Sequence, residues 1–224
     1  MKKLFTLLAL TISFSMNAQM SDNSSGTSAI GPNAVAMGYQ STASGIRSTA
    51  MGNNTTASGD SSTAMGKQTI ASDYASLVIG QYNSSGYSVT NNATSFNTAN
   101  TAFVIGNGTD SSNKSDAFKV MFNGDATVSN DLTVSGDVVI SSDARLKSNI
   151  VSLGSTLSKL LQIDGKSYEM KGKQKIGVLA QEIKKVFPEL VSEDDNEMLA
   201  VNYQGLVPVP VSYTHLTLPT KRIV

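Results

Sequence analysis

The densest group of side chains that could do chemistry lies in the stretch SSDARLKSNI, residues 141–150. Hydroxyl, carboxylate, guanidinium and amine groups follow one another there at Ser141, Ser142, Asp143, Arg145 and Lys147. A serine hydroxyl becomes an effective nucleophile when a base accepts its proton. A lysine is a base only in its neutral form, which burial or a neighbouring positive charge favours. Taken alone, such a charged cluster is typical of a solvated turn.

The rest of the chain narrows the choice of catalytic groups. It has no cysteine and one histidine, His215, which excludes a thiol nucleophile, a disulfide framework and a thiolate metal site. Gln181, Glu182 and Glu189 invite an acid/base interpretation, but their spacing does not require it, and helix surface or capping is the favoured role. The sequence contains no phosphate loop, metal cluster or carboxylate pair with hydrolase spacing, so we expect no metal and no cofactor.

Charge divides the chain into two regions. The 224 residues carry 17 basic and 17 acidic side chains, a balance that does not indicate nucleic acid as a partner. Residues 20–141 contain 4 basic and 8 acidic side chains, whereas the shorter segment 142–209 contains 9 of each. We therefore place a domain boundary at residue 142.

The first 19 residues have the layout of a bacterial secretory signal. Lys2 and Lys3 precede an apolar run at 4–14, and small or polar residues follow as far as Ala18. A transmembrane helix needs roughly 20 apolar residues, about twice this run. We expect an exported protein, secreted or on the cell surface, that does not span the membrane.

A seven-residue glycine period occupies residues 24–83. Glycines stand at 31, 38, 45, 52, 59, 66 and 80, and Asp73 fills the one missing position. A fourteen-residue unit repeats Ala-Met-Gly at 36–38, 50–52 and 64–66, and Val-Ile-Gly at 78–80. A coiled coil would need large apolar residues and helix formers in place of this Gly, Ser, Thr and Asn. The period predicts a β-solenoid with two short strands per coil, glycines at turns of positive φ, and Ala with Met or Ile pointing inward. A disordered linker is the alternative that composition alone would favour.

These repeats, AVAMG, STAMG and STASG, resemble the head repeats of trimeric autotransporter adhesins. The resemblance implies a left-handed parallel β-roll with three chains side by side, and so a homotrimer. It also allows the outer Ser, Thr and Asn face to bind a host receptor or glycan, although no residue identifies such a ligand. The thin, alanine-rich interior agrees with association, because one chain alone gains little from burying it.

Residues 84–141 are predicted to form a β shaft. The stretch 84–102 has no clear period and suggests irregular coil. Asn123-Gly124 lies between two β-rich runs and predicts a hairpin. More β pattern follows in DLTVSGDVVI at 131–140.

A small α+β domain is predicted at 142–209. We expect a helix over 153–163 with Leu153, Leu157, Leu160 and Leu161 on one face, a strand around Tyr168, a short strand leading into a helix over 181–187 that Pro188 ends, and a strand over 198–203. The expected fold class is therefore mainly β: a repeat β-roll fibre with a small α+β C-terminal domain.

Three blocks of this domain, SSDARLKSNI, IGVLAQEIKKVFPELV and VNYQGLVPV, resemble the endosialidase-type intramolecular chaperone domain of phage tailspikes, tail fibres and related bacterial surface proteins. The resemblance implies a domain that trimerises, guides folding of the β-structured trimer before it and then cuts itself off, as an autocatalytic serine endopeptidase. Its catalytic dyad maps to Ser142 and Lys147, and the scissile bond joins Ser141 to Ser142. Arg145 could favour the neutral lysine, whereas Asp143 would oppose it and is more favourably paired with Arg145.

The last segment, 210–224, departs from the family, which continues with an amphipathic helix. Pro210 and Pro219 prevent such a helix, so we expect a non-native tail on a truncated domain. Three functions stay open from the sequence: a self-releasing fibre, which could derive from a virion, the same fibre left uncut with the C-terminal domain as a trimer clamp, and an adhesin.

Overall fold

The structure is a computed structural model that describes residues 20–21, 26–194 and 197–210. The chain divides into two units, which meet in the sequence between residues 138 and 139. The predicted secretory signal and most of the predicted tail lie outside the described residues. No helix among the described residues is long and apolar enough to cross a membrane.

The first unit is a solenoid of stacked coils, each with one long and one short strand. The long strands form one parallel ladder, with β1 (Met20–Ser21), β3 (Val35–Tyr39), β5 (Thr49–Asn53), β7 (Thr63–Lys67), β9 (Leu77–Gln81) and β10 (Thr101–Asn107). The short strands form a second parallel ladder, with β2 (Ser28–Ala29), β4 (Thr42–Ala43), β6 (Thr56–Ala57) and β8 (Ile70–Ala71). Pairing is in register every fourteen residues, as in Met37 with Met51. The predicted β-solenoid is confirmed.

Alternation along the strands decides which apolar residues enter the interior. The repeated alanines of the two ladders are fully buried, at Ala36, Ala43, Ala50, Ala57, Ala64 and Ala71, as are Val78 and Val104 at positions equivalent to Ala36. The neighbouring Met or Ile points to the opposite face and is only half-buried, because successive strand side chains face opposite sides. The prediction that Met and Ile point inward was therefore wrong. Hydroxyl side chains complete the interior, with Thr55 Oγ1 donating to Ser41 Oγ at 2.9 Å.

The glycines of the period share one physical cause, the close approach of stacked backbones, and alternate members have a second cause, positive φ. Gly38, Gly52, Gly66 and Gly80 have the predicted positive φ, but they lie within strands and not at turns. Gly59 represents the other set, in which a Cβ atom would lie 2.1 Å from the Asp73 carbonyl oxygen of the next coil. Close approach of stacked backbones is shared by Gly38, Gly52, Gly66 and Gly80, but for the Gly59 set it is the cause that acts without positive φ. Positive φ also recurs every seven residues at non-glycine positions, namely Asn33, Gln40, Arg47, Asn54, Ser61, Gln68, Ala75 and Tyr82.

Asp73 can occupy the position of the missing glycine because the regular stacking of coils is interrupted after its own coil. Residues 84–100 form an insertion without strands between β9 and β10, in agreement with the predicted irregular segment. The buried carboxylate of Asp73 accepts hydrogen bonds from the Thr90 amide at 2.6 Å and from the Thr101 amide at 2.8 Å. The ladder then resumes, since β10 pairs in parallel with β9, beyond residue 83 where the predicted repeats end.

A hairpin closes the ladder of long strands. Strand β11 (Asp116–Met121) pairs antiparallel with β10 and with β12 (Ala126–Val128). The turn between β11 and β12 contains Asn123 and Gly124, so the predicted hairpin is confirmed.

The second unit is a small α+β domain with two antiparallel strand pairs. The strands are β13 (Lys166–Met170), β14 (Lys173–Gly177), β15 (Val191–Glu193) and β16 (Leu199–Val201). The helices are α1 (Leu157–Leu160), α2 (Ala180–Val186) and α3 (Tyr203–Leu206), with 3-10 turns at Ala144–Leu146 and Pro188–Leu190. The core consists of Ile183, Val186, Phe187 and Val209. Most predicted elements are present.

The helix predicted over 153–163 is much shorter than expected. It is confined to α1, because Gly154 has a φ of +65° and Thr156 occupies the N-cap position. Of its leucines, Leu160 packs against the core, whereas Leu161 is 77% exposed. The predicted apolar face is therefore not buried within the single chain.

Candidate functional site

A tight turn brings the two ends of the SDARLK segment together. Asp143 is the N-cap of the 3-10 turn Ala144–Leu146, and its carboxylate accepts the Arg145 amide at 2.8 Å. The Lys147 amide donates to the Ala144 carbonyl at 3.1 Å, which closes the turn. Aspartate is favoured at this position because its short side chain can accept a hydrogen bond from the backbone amide two residues later. Residues 142 and 147 consequently lie on the same side of the turn.

Ser142 and Lys147 form a direct hydrogen bond. The Lys147 Nζ atom lies 2.7 Å from Ser142 Oγ, within the range needed for proton transfer between nucleophile and base. Both residues are exposed, as is Ser141 on the other side of the peptide bond. The two side chains are therefore in hydrogen-bond contact and open to water in the single chain.

Asp143 and Arg145 form a two-pronged ion pair beside it. Arg145 Nη2 lies 2.7 Å from Asp143 Oδ2, and Arg145 Nε lies 3.0 Å from Oδ1. The Arg145 side chain, followed by the Arg145 amide, lowers the pKa of Asp143 below 3.8. The Asp143 carboxylate in turn raises the pKa of Arg145. The negative charge nearest to the Ser142 and Lys147 pair is thus matched by a guanidinium.

The other polar residues singled out in the sequence belong to the surface of helix α2 and its surroundings. Gln181 and Glu189 are exposed. Glu182 lies in the first turn of α2, where a carboxylate is favoured by the helix dipole, and its Oε1 is 3.6 Å from Lys166 Nζ. This placement agrees with the helix-surface interpretation.

Sequence reasoning missed a groove in the second unit that has an apolar wall and two tyrosines. Tyr168, Val178, Leu199, Val201 and Tyr203 are among its lining residues. The Val178 amide donates to the Tyr203 hydroxyl at 3.2 Å. Tyr168 lies in β13, Leu199 and Val201 in β16 and Tyr203 in α3, and Val178 follows β14, so no local sequence signal brings them together.

One unit of the structure is a coil-stacked β-roll, and the other is a small α+β domain with a hydrogen-bonded serine and lysine pair near its start. Comparison with known families agrees with both descriptions. Residues 142–192 match the family model described as chaperone of endosialidase. Residues 29–55 and 57–83 match two copies of the YadA head domain repeat. Both resemblances stated from the sequence are confirmed: residues 29–83 are similar to adhesin-type head repeats, and residues 142–192 are similar to the chaperone domain of endosialidase. No curated protein and no solved structure matches the chain significantly.

Proposed function

We propose that this chain is an exported, homotrimeric fibre or surface protein whose C-terminal domain assists folding of the trimer and then cuts the chain between Ser141 and Ser142. The observation that carries the proposal is the 2.7 Å contact between Lys147 Nζ and Ser142 Oγ. The match of residues 142–192 to the chaperone of endosialidase family supports the same role.

In the proposed reaction the Ser142 hydroxyl oxygen attacks the carbonyl carbon of Ser141, and its proton passes to the neutral amine of Lys147. The peptide C–N bond then breaks as the lysine gives the proton to the leaving nitrogen. Ser141 is now held as an ester on Ser142 Oγ, and Ser142 has a free α-amine. Water hydrolyses the ester, which leaves a carboxyl end at Ser141 and an amino end at Ser142.

Assembly supplies what the single chain lacks for this reaction. The neutral amine is favoured by burial or by positive charge, and Lys147 is exposed in one chain. Pairing of Asp143 with Arg145 offsets the one carboxylate close by, so Arg145 acts as a positioning residue for Asp143. We expect neighbouring copies in the trimer to cover the pair, so that cutting follows assembly.

The outer face of the β-roll supports a trimer. Its long strands present a ladder of half-buried apolar side chains in register, at Met37, Met51, Met65, Ile79 and Ile105. The interior behind this ladder consists largely of alanines, each of which contributes little burial. Covering the ladder with two further copies would add apolar burial that the thin interior does not provide.

Intact-mass analysis of the purified full chain tests self-cleavage. For the parent we expect two fragments, one ending at residue 141 and the other beginning at residue 142. For Ser142→Ala and for Lys147→Ala we expect one uncut chain. Lys147→Arg should also stay uncut, because arginine keeps the positive charge and cannot act as a base. Lys185→Ala is the matched control, since it removes an exposed lysine of helix α2 and should cut like the parent. Cutting of Lys147→Arg at the parent rate would refute the role of lysine as base.

The uncut trimer clamp is the second candidate function, and the exposure of Lys147 in one chain favours it. The same experiment separates the two functions. A parent chain that forms a trimer and keeps its full mass would establish the clamp and overturn self-release.

An adhesin role is favoured by the insertion at 84–100. Phe96 is 61% exposed there, and its ring packs edge-on against Phe122 with centroids 5.3 Å apart. The Phe96 ring is exposed, is fixed in place by its contact with Phe122 and lies in a segment rich in amide and hydroxyl groups. Such a ring suits contact with the face of a sugar or with a protein receptor. Binding to a glycan array should be lost in Phe96→Ala and kept in Ile46→Ala, which removes another exposed apolar side chain.

A further inference from the structure

The segment 126–140, called the shaft segment below, alternates in polarity with a period of two. Apolar side chains occupy even positions, at Ala126, Val128, Leu132, Val134, Val138 and Ile140. Polar side chains occupy odd positions, at Thr127, Ser129, Asp131, Thr133, Ser135 and Asp137. Asn130, Gly136 and Val139 are the exceptions. Such alternation is typical of an extended strand with one face covered and the other in water.

The single chain leaves this apolar face uncovered. Every residue from 123 to 155 is exposed, and only Ala126–Val128 belongs to a strand, β12. Leu132 is 72% exposed, Val138 63% and Ile140 57%. A row of apolar side chains of this length marks a surface that another chain covers.

Further copies of the same segment fit this face best. A strand of 15 residues is about 50 Å long and presents a face only one side chain wide. Three copies in the same register, with their even faces turned toward one common axis, place each apolar residue against its equivalents and cover the face. The odd face, which carries Asp131 and Asp137 and no basic residue, then points outward, where the like charges are separated by water. The flanking β-roll and chaperone-type domain would hold three such segments within reach.

We propose that the shaft segments of three copies associate through their even-numbered side chains, and that this association holds the fibre together after the C-terminal domain is released. The inference rests on the proposed homotrimer. It adds the segment and the face that carry the contact. Because the alternation ends at Ile140 and the proposed cut follows Ser141, the released fibre retains every apolar residue of the face.

Single cysteines test the contact, because the chain has no cysteine of its own. Val134→Cys places a thiol on the even face and Thr133→Cys places one on the odd face of the same strand. Disulfides need Cα atoms within about 7 Å. On mild oxidation of the full chain we expect a covalent dimer on a denaturing gel for Val134→Cys and its absence for Thr133→Cys. Val138→Cys and Asp137→Cys form a second pair with the same expectation.

Light scattering on the same samples separates the two proposals. The shaft contact is overturned if the parent is a trimer and the two cysteine variants of each pair cross-link equally or not at all. The homotrimer then still stands. A monomeric parent overturns the homotrimer and the shaft contact with it. Val134→Asp should also lower the trimer fraction of the parent more than Thr133→Asp, since both add one negative charge and only the former buries it.

Discussion

Replacement of Gly59 by alanine tests the stacking of the coils most directly. Gly59 is buried in the β-roll and does not have positive φ, so backbone strain does not enter. Its added Cβ would lie 2.1 Å from the carbonyl oxygen and 2.5 Å from the carbonyl carbon of Asp73. Both atoms are backbone, and they cannot rotate away as the end of a side chain would.

The loss of stability in Gly59→Ala can be worked out from the hydrogen bonds that join the two coils beside Gly59. Relieving the clash requires the two coils to separate locally by about 1 Å. Three backbone hydrogen bonds join them there, from Ser58 and Gly59 to the Ala71 carbonyl and from Ala75 to the Asp60 carbonyl, at 2.8 to 3.1 Å. Lengthened by that amount, they no longer count as hydrogen bonds. At about 1 kcal/mol each, their loss lowers the free energy of unfolding by about 3 kcal/mol.

Denaturant unfolding at one fixed protein concentration, followed by circular dichroism, measures this change. Gly165→Ala is the matched control, because its Cβ would meet nothing within 4 Å and its φ is not positive. We expect that variant to stay within about 0.5 kcal/mol of the parent. Equal stability of the Gly59→Ala and Gly165→Ala variants would refute the explanation of the glycine period by close stacking.

Three further predictions concern other parts of the chain. Asp73→Ala leaves two backbone amides of the insertion without their acceptor and should lower the free energy of unfolding by about 2 to 4 kcal/mol, with faster amide exchange over 84–100. Carboxyl NMR titration should place the pKa of Asp143 below 3.8, and Arg145→Ala should return it toward that value. Because this pKa is lowered, the ion pair is complete above about pH 4 and is lost as the pH falls through the folded value; a pair lost near neutral pH would contradict its assignment. Ile183→Ala removes a fully buried side chain of helix α2 and should lower the stability of the second unit by about 2 to 5 kcal/mol, whereas Lys185→Ala on the same helix should not.

Periodic and local features were predictable from sequence. The fourteen-residue repeat predicted the solenoid, and the Asn123-Gly124 pair predicted the hairpin, because a register of glycines and a short turn depend on neighbours close in the chain. The five-residue spacing of Ser142 and Lys147 is local as well, so the SDARLK turn could carry a resemblance before its geometry was known.

Other features depend on residues far apart in the chain. The inward direction of alanine and the outward direction of methionine follow from strand alternation once the strand is placed, and the repeat alone left that choice open. The role of Asp73 depends on amides 17 and 28 residues away, which the insertion brings back onto the roll.

The repeat length, the domain order and the chemical groups at the boundary could be predicted from the sequence, since each of these depends on composition and short spacing. Three findings required the folded chain: why the glycines of the period are needed, why one of them could become Asp73, and which face of the shaft segment stays uncovered. These outcomes depend on the distance between backbones one coil apart and on exposure to solvent. Neither quantity is defined until the chain has folded back on itself.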